Sequence, residues 1–210
     1  MKTREAWNQV YIEHGENVPW AVEPELNQWN IQTVSKYLEE NPTGRTLLDY
    51  GCGLGQVAEH FRQEGYQIEL ADLSEIVTEK LKKKYQNKVP VYLVEEPKDI
   101  SKESAYDVIL AIGVFHHLNP NKWASFLEDF YNLLKKDGIV FIAGWDETDE
   151  EISRIQESAY SHLLRGPVNS LKQYVNQDKF QILADSASKI RYESFSFLRT
   201  MHYFVLKKKD

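Results

Sequence analysis

Three glycines at alternate positions, Gly51, Gly53 and Gly55, follow an apolar run that ends in Asp49-Tyr50, and a helical pattern starts at Gln56. Glycine is needed where the backbone turns sharply and where a ligand must lie against the main chain without an intervening Cβ. The chemistry this pattern offers is therefore recognition by peptide groups at a strand-to-helix junction. A dinucleotide fingerprint would carry a glycine at position 56, where Gln56 stands. Asp49 would also repel a pyrophosphate, so the loop is matched to a cationic or zwitterionic ligand. Asp72 closes a second apolar run, 21 residues after Gly51. A carboxylate there can accept hydrogen bonds from both hydroxyls of a vicinal diol, or it can serve the helix that opens at Ser74. His116 and His117 follow a third apolar run. An imidazole titrates near neutrality and can take a proton from an attacking hydroxyl or amine, although the pair can equally be structural. His14, His60, His162 and His202 read as surface or structural residues. No spacing of histidines, carboxylates and Cys52 matches a metal site, and Cys52 reads as packing inside the glycine loop.

Aromatic residues form the other candidate set. Trp7, Tyr11 and the Pro19-Trp20 pair precede the first strand, and Trp145 lies just past the fifth. Such rings can build a dry wall for a ligand, with cation–π attraction to a positive group, or can simply anchor an N-terminal helix.

These residues must be held by elements. Thr46–Tyr50, Ile68–Asp72, Val91–Val94, Tyr106–Ile112 and Ile139–Ala143 are short apolar runs suited to strands buried on both faces. Between them, Gln56–Glu64, Glu75–Tyr85 and Trp123–Leu134 carry apolar residues at helical spacing, with Ser74 as a cap and Gly65 as a stop. Asp137-Gly138 turns the chain into the fifth strand. Gln181–Ala184 and Met201–Leu206 supply two more strands. Alternation with short links predicts an α/β fold: a doubly wound, mostly parallel seven-stranded sheet with helices on both faces. Residues 1–42 are read as a helical N-terminal cap, and residues 43–210 as the ligand-binding domain with a helical insertion near 146–180, broken at Gly166-Pro167.

The chain of 210 residues and 24.6 kDa is large enough for one well-formed core. A formal charge of −7 argues against a surface that tracks phosphates, so no nucleic-acid partner is expected. No apolar run approaches the roughly 20 residues that span a bilayer, and Met1–Val10 is too polar for a leader. Cys52 is the sole cysteine, which excludes an internal disulfide and fits a reducing compartment. The expectation is a cytoplasmic protein without a membrane partner. The most direct reading of the two lysine runs, Lys82–Lys84 and Lys207–Lys209, is solvated surface.

The motifs in this order resemble the class I S-adenosylmethionine (SAM)-dependent methyltransferases. Leu48–Gly55 resembles the family's first motif, Asp72 its ribose-binding acid with Leu73 beside it, and Tyr106–Leu118 its fourth motif. Leu133–Gly138 resembles the turn before its fifth strand. The resemblance covers roughly residues 45–145 and implies SAM as cofactor, with Asp49, Gly51, Gly53 and Gly55 at the loop. It also implies that Asp72 takes the ribose hydroxyls and that the backbone near Ala111 and Ile112 takes the methionine end. The third motif departs from the pattern. The adenine-binding acid aligns with Glu96, but Pro97 after it has no N–H to offer the ring. Either Glu95 takes the role, with Glu96 supplying the N–H, or adenine is held another way. By the same resemblance, Trp7, Tyr11, Trp20 and Trp145 border a small-molecule acceptor, and His116 or His117 is the candidate base. The motifs leave open a protein or peptide methyltransferase, and a SAM-binding module without turnover.

Overall fold

The structure is a computed structural model and describes residues 3–41, 43–146, 166–192 and 197–209. Seven strands form one sheet: β1 (Thr46–Tyr50), β2 (Gln67–Asp72), β3 (Val91–Leu93), β4 (Tyr106–Ile112), β5 (Leu134–Trp145), β6 (Phe180–Tyr192) and β7 (Phe197–Lys208). Their order is β3-β2-β1-β4-β5-β7-β6. The first five are mutually parallel, whereas β7 runs antiparallel to both β5 and β6. This is the expected doubly wound sheet, with one antiparallel hairpin at its edge.

Six α-helices accompany the strands among the described residues: α1 (Thr3–His14), α2 (Pro19–Val22), α3 (Pro24–Glu40), α4 (Gln56–Gln63), α5 (Glu75–Lys84) and α6 (Trp123–Leu133). Side chains alternate across each buried strand, and the sheet separates two cores. Leu47, Val108, Leu110, Ile139 and Phe141 point to the face covered by α1, α3, α4 and α5. Leu48, Ile109, Val140 and Ile142 point to the opposite face, which packs α6 and a 3₁₀ turn at Val168–Tyr174. Each fully buried Leu or Phe contributes roughly 1.5–3 kcal/mol, so both faces are anchored independently.

Local sequence explains the ends of these helices. Ser74 caps α5, its Oγ accepting from the Val77 N–H at 3.3 Å. Gly55 adopts the left-handed conformation (φ 73°) and starts α4. Pro24 opens α3 at its first turn, where a missing N–H costs nothing. In α6, Trp123, Phe126, Leu127, Phe130 and Leu133 make one continuous buried stripe.

Three boundaries differ from the sequence reading. β5 begins at Leu134 and carries an irregularity in its pairing with β4, so Asp137 (φ 62°) bends the chain inside the strand rather than before it. The last two strands are far longer than their apolar runs. β6 continues through Asp185–Lys189, a largely exposed polar stretch that an apolar-run criterion cannot see, because an antiparallel edge hairpin can face water. Of the proposed helical insertion, residues 147–165 lie outside the described residues. After Gly166-Pro167 the chain forms the 3₁₀ turn. Among the described residues, no helix is long and apolar enough to cross a membrane.

Candidate active site

Parallel α/β sheets place their ligands at the carboxyl edge of the strands, near the point where strand order reverses. Here β1 and β4 are neighbours and the connections depart in opposite directions from them. A cleft of about 1630 Å³, its open mouth included, runs along this edge from β3 to β7.

The glycine loop forms its floor. Gly51 and Gly53 lie at φ 72° and 49°, a region that L side chains rarely enter. A Cβ on Gly53 would stand 3.2 Å from the Tyr11 hydroxyl, so α1 passes directly over the loop. Asp72, at the end of β2, accepts from the Gly53 N–H at 3.0 Å and from the Ser74 N–H at 2.8 Å. Each of its oxygens thereby engages a backbone donor, and the carboxylate keeps acceptor capacity for a ligand hydroxyl. The two sequence readings of Asp72 are thus compatible, since the carboxylate fixes the loop and remains able to accept from a diol. Asp49 lies beneath, 4% exposed. Burial, then the Asp72 charge, pushes its carboxyl up to about 7, against a hydrogen bond from the Ala58 N–H in the first turn of α4. Burial also raises Asp72, which the Ser74, Gly53 and Leu73 N–H groups oppose.

The neighbouring acids separate clearly. Glu95 borders the cleft and pairs with Arg4 of α1 at 3.2 Å. Glu96 turns away to Lys122 (2.8 Å) and Lys98 (2.5 Å), and its N–H donates to Asp99 at 3.0 Å. Those lysines hold the Glu96 carboxyl down at about 2.

The histidine pair sits on a 3₁₀ turn (Phe115–His117) after β4. The turn is pinned from below: Phe115 is fully buried against Trp123 and Phe126, and the Trp123 indole N–H donates to the Phe115 carbonyl at 3.0 Å. His116 is 4% exposed, and its Nδ1 accepts from the Trp145 backbone N–H at 3.4 Å. Burial, followed by the His117 and Arg199 charges, pushes its pKa well below the usual histidine value. His116 is therefore a neutral imidazole whose proton sits on Nε2. His117 is half-buried, with its ring edge-on to Trp7 at 4.8 Å. Trp7 in turn meets Trp20 at 5.5 Å, and Tyr11 meets Trp20 at 6.1 Å.

The fold brings most of the sequence-predicted residues to this cleft. Asp49, Gly51, Gly53, Asp72, Leu73, Glu95 and Ile112 line it, as do His116 and His117. The aromatic candidates Trp7, Tyr11, Trp20 and Trp145 close its upper wall. Three lie off it. Gly55 faces Leu81 and Leu70 and serves the start of α4. Ala111 alternates into the opposite core, and Glu96 is drawn off by its lysines.

Among the lining residues that the sequence reading did not single out are Asn30 of α3 and Arg199 of β7. Asn30 interrupts the buried stripe Leu26-Asn30-Val34-Leu38, and its Oδ1 is buried with no hydrogen-bond partner. An unmet buried acceptor costs about 1–3 kcal/mol. Arg199 is 6% exposed and lies over the Trp145 ring at 3.8 Å. A polar residue inside an apolar stripe was the available signal in both cases.

A family model described as a methyltransferase domain matches residues 24–185. The chain belongs to the methyltransferase domain family. The match spans the glycine loop, Asp72 and the histidine pair, the features that define the cleft. Among curated relatives, the ubiquinone biosynthesis O-methyltransferase of Pelagibacter ubique is 34% identical over 105 residues, covering 49% of this chain and 42% of that protein. A sphingolipid C9-methyltransferase of Komagataella phaffii is 30% identical over 56% of this chain. The chain matches less than half the length of either relative. Solved structures share the fold at low identity. The N-methyltransferase NodS of Bradyrhizobium japonicum, in complex with S-adenosylhomocysteine (SAH), is 9% identical with a TM-score of 0.72, covering 97% of this chain and 98% of that one. The 1,6-didemethyltoxoflavin-N1-methyltransferase of Burkholderia thailandensis is 16% identical with a TM-score of 0.70, covering 98% and 88%.

Proposed function

We propose that this chain transfers a methyl group from SAM to a small-molecule acceptor, most plainly in the cytoplasm. The observation that carries the reading is the cleft in which a glycine-rich loop and the Asp72 carboxylate lie beneath an aromatic wall of Trp7, Tyr11 and Trp20. The donor set fits the cofactor. Asp72 has lone pairs to offer ribose hydroxyls, and Gly53 lets a ligand approach the backbone beneath Tyr11, whereas the Cβ position of Gly51 is filled by Val114 Cγ2 at 2.5 Å. Glu95, rather than Glu96, lines the cleft and is the acid available to accept from an adenine amino group, with Leu73, Val94 and Leu118 beside it. The buried acids Asp49 and Asp72 favour a ligand with positive charge. Bound there, SAM supplies a methyl group on a sulfonium, a carbon already activated for in-line displacement.

What the protein adds is chiefly alignment and exclusion of water, and alignment alone is worth roughly 7–11 kcal/mol in favourable cases. Helices α1–α3 serve as the cap. α1 is tied down by Arg4 to Glu95 and Glu75, and by Asn8, whose Oδ1 accepts from the Ser74 hydroxyl at 2.8 Å. Trp7, Tyr11 and Trp20 then form the dry wall. His117 is the better base of the pair. His116 has its one acceptor nitrogen engaged by the Trp145 N–H, so it positions the loop and leaves proton transfer to its neighbour. The closed aromatic wall favours a small acceptor over a peptide or nucleic acid, which would require an open groove.

The test is calorimetric titration of the purified protein with SAM, SAH and NAD, followed by an SAH-release screen against small acceptors. Micromolar binding of SAM and SAH with no response to NAD is expected. Asp72→Ala should weaken SAH at least about tenfold, since even one hydrogen bond to a charged group is worth roughly 1.5–3 kcal/mol. Normal SAH affinity in Asp72→Ala and in Gly53→Val would mean that the cofactor lies elsewhere.

A further inference from the structure

We propose that Arg199 forms an anion-recognising end of the acceptor site, with the Asn30 Oδ1 beside it as an acceptor for a donor group, so that the molecule methylated is a small carboxylate. This rests on the cofactor assignment above and extends it to the other end of the same cleft.

The topology makes the juxtaposition. Because β7 runs antiparallel to β5, its N-terminal end reaches the carboxyl edge of the parallel strands. Met201 pairs with Trp145 across the two strands, and Arg199, two residues earlier, projects from the same face. Both line the cleft, and the Arg199 guanidinium carbon lies 3.8 Å from the centroid of the Trp145 ring. Helix α3 covers this face of β7, as Trp29 and Tyr37 packing on Tyr203 shows. The buried stripe of α3 brings Asn30 to the same wall, with its Oδ1 unmet and 2% of the residue exposed.

The charges are segregated along the cleft. Its acids, Asp49, Asp72 and Glu95, stand at or just beyond the ends of β1, β2 and β3. Among the described residues lining it, Arg199 is the sole arginine or lysine. Four strand steps separate β2 from β7, about 19 Å at the usual spacing of neighbouring strands. The end of the cleft that suits a cationic cofactor is thus far from the end that suits an anion. Burial pulls the Arg199 pKa down to about 9, which leaves the guanidinium charged at neutral pH. A bound carboxylate accepts from its planar fork. The Asn30 Oδ1 accepts from a donor elsewhere on the ligand and not from the carboxylate itself, and Trp145 and Met201 take the ligand's apolar body.

The experiment uses the SAH-saturated full chain, titrated with benzoate, phenylacetate and hexanoate and with their neutral amides. At least one acid should bind tenfold or more tightly than its amide. Arg199→Gln should remove that preference while binding SAH within twofold of the parent, and Arg199→Lys should retain part of it. Asn30→Asp, which puts a negative charge on the same wall, should also weaken the acids and leave SAH binding unchanged. Thermal unfolding of each variant with SAH establishes that it is folded. Equal affinity for acids and amides, or no binding of any acid at millimolar concentration, overturns the proposal. So does loss of SAH affinity in folded Arg199→Gln, because Arg199 would then hold the amino-acid end of the cofactor. Failure of the parent protein to bind SAH would instead overturn the cofactor assignment, before any acid is added.

Discussion

At the residue scale, two buried groups have opposite protonation behaviour that function can reveal. Asp49, pushed up to about 7 by burial and Asp72, is half-protonated near neutrality. Between pH about 4 and 7 the folded chain keeps a proton that the unfolded chain has released, so this group subtracts stability as pH rises through that window. A cationic ligand prefers the ionised acid. SAM affinity should therefore fall about tenfold between pH 8 and pH 6, with proton release measurable by calorimetry in buffers of different ionisation enthalpy. Asp49→Asn should flatten that dependence. His116, held neutral by burial, has no such role near pH 7. With an accepted substrate whose nucleophile carries a proton, His117→Ala should lower kcat roughly 10²–10⁴-fold, the usual range for a general base. His116→Ala should act mainly on thermal stability. Equal losses of kcat in both variants, with unchanged stability, would refute this division of labour.

At the element scale, the site depends on how β5, the 115–117 turn and the 3₁₀ turn at Val168–Tyr174 pack together. Gly144 of β5 has no unusual backbone angle, yet a Cβ there would meet Val168 Cγ2 at 2.5 Å and His116 Nδ1 at 2.7 Å. The residue is glycine for closeness of packing. Gly144→Ala should cost about 1–3 kcal/mol, the range for overfilling a packed core. It should also disturb the histidine turn, read as a lower melting temperature together with weaker SAH binding. An alanine variant as stable as the parent would show that Val168 and His116 yield easily.

At the scale of the whole molecule, the cleft joins elements from both ends of the chain: α1 and α3 on one side, β7 on the other, with the glycine loop between them. A ligand that binds only the folded state stabilises all of them together. At 100 times its dissociation constant, SAH should add about 2.7 kcal/mol. For a chain of this size that is about 5–10 °C in melting temperature, and Asp72→Ala should cut the shift to about half or less at the same SAH concentration. A shift of equal size in Asp72→Ala would place the stabilising contact elsewhere.

The sequence by itself determined the parallel half of the sheet, the helices between its strands, and the residues at the loop and at the end of β2. Those features are local: an apolar run, a glycine at a sharp turn and a cap at a helix start each follow from a few neighbouring residues. It also marked Asp72 and His116-His117, because they sit directly after strands whose ends share one edge. Tertiary structure decided what local pattern cannot reach. It separated Glu95 from Glu96, since Lys122, which draws Glu96 away together with the neighbouring Lys98, comes from a later turn. It engaged His116 through the backbone of β5, leaving His117 facing the aromatic wall. It extended β6 through polar residues that only pairing with β7 could order. By reversing β7 it carried Arg199 to the edge where the parallel strands end, beside a helix nearly 170 residues earlier in the chain. Strand direction and side-chain burial are properties of the assembled sheet, so an arginine in an apolar run becomes a candidate recognition group only once that sheet has formed.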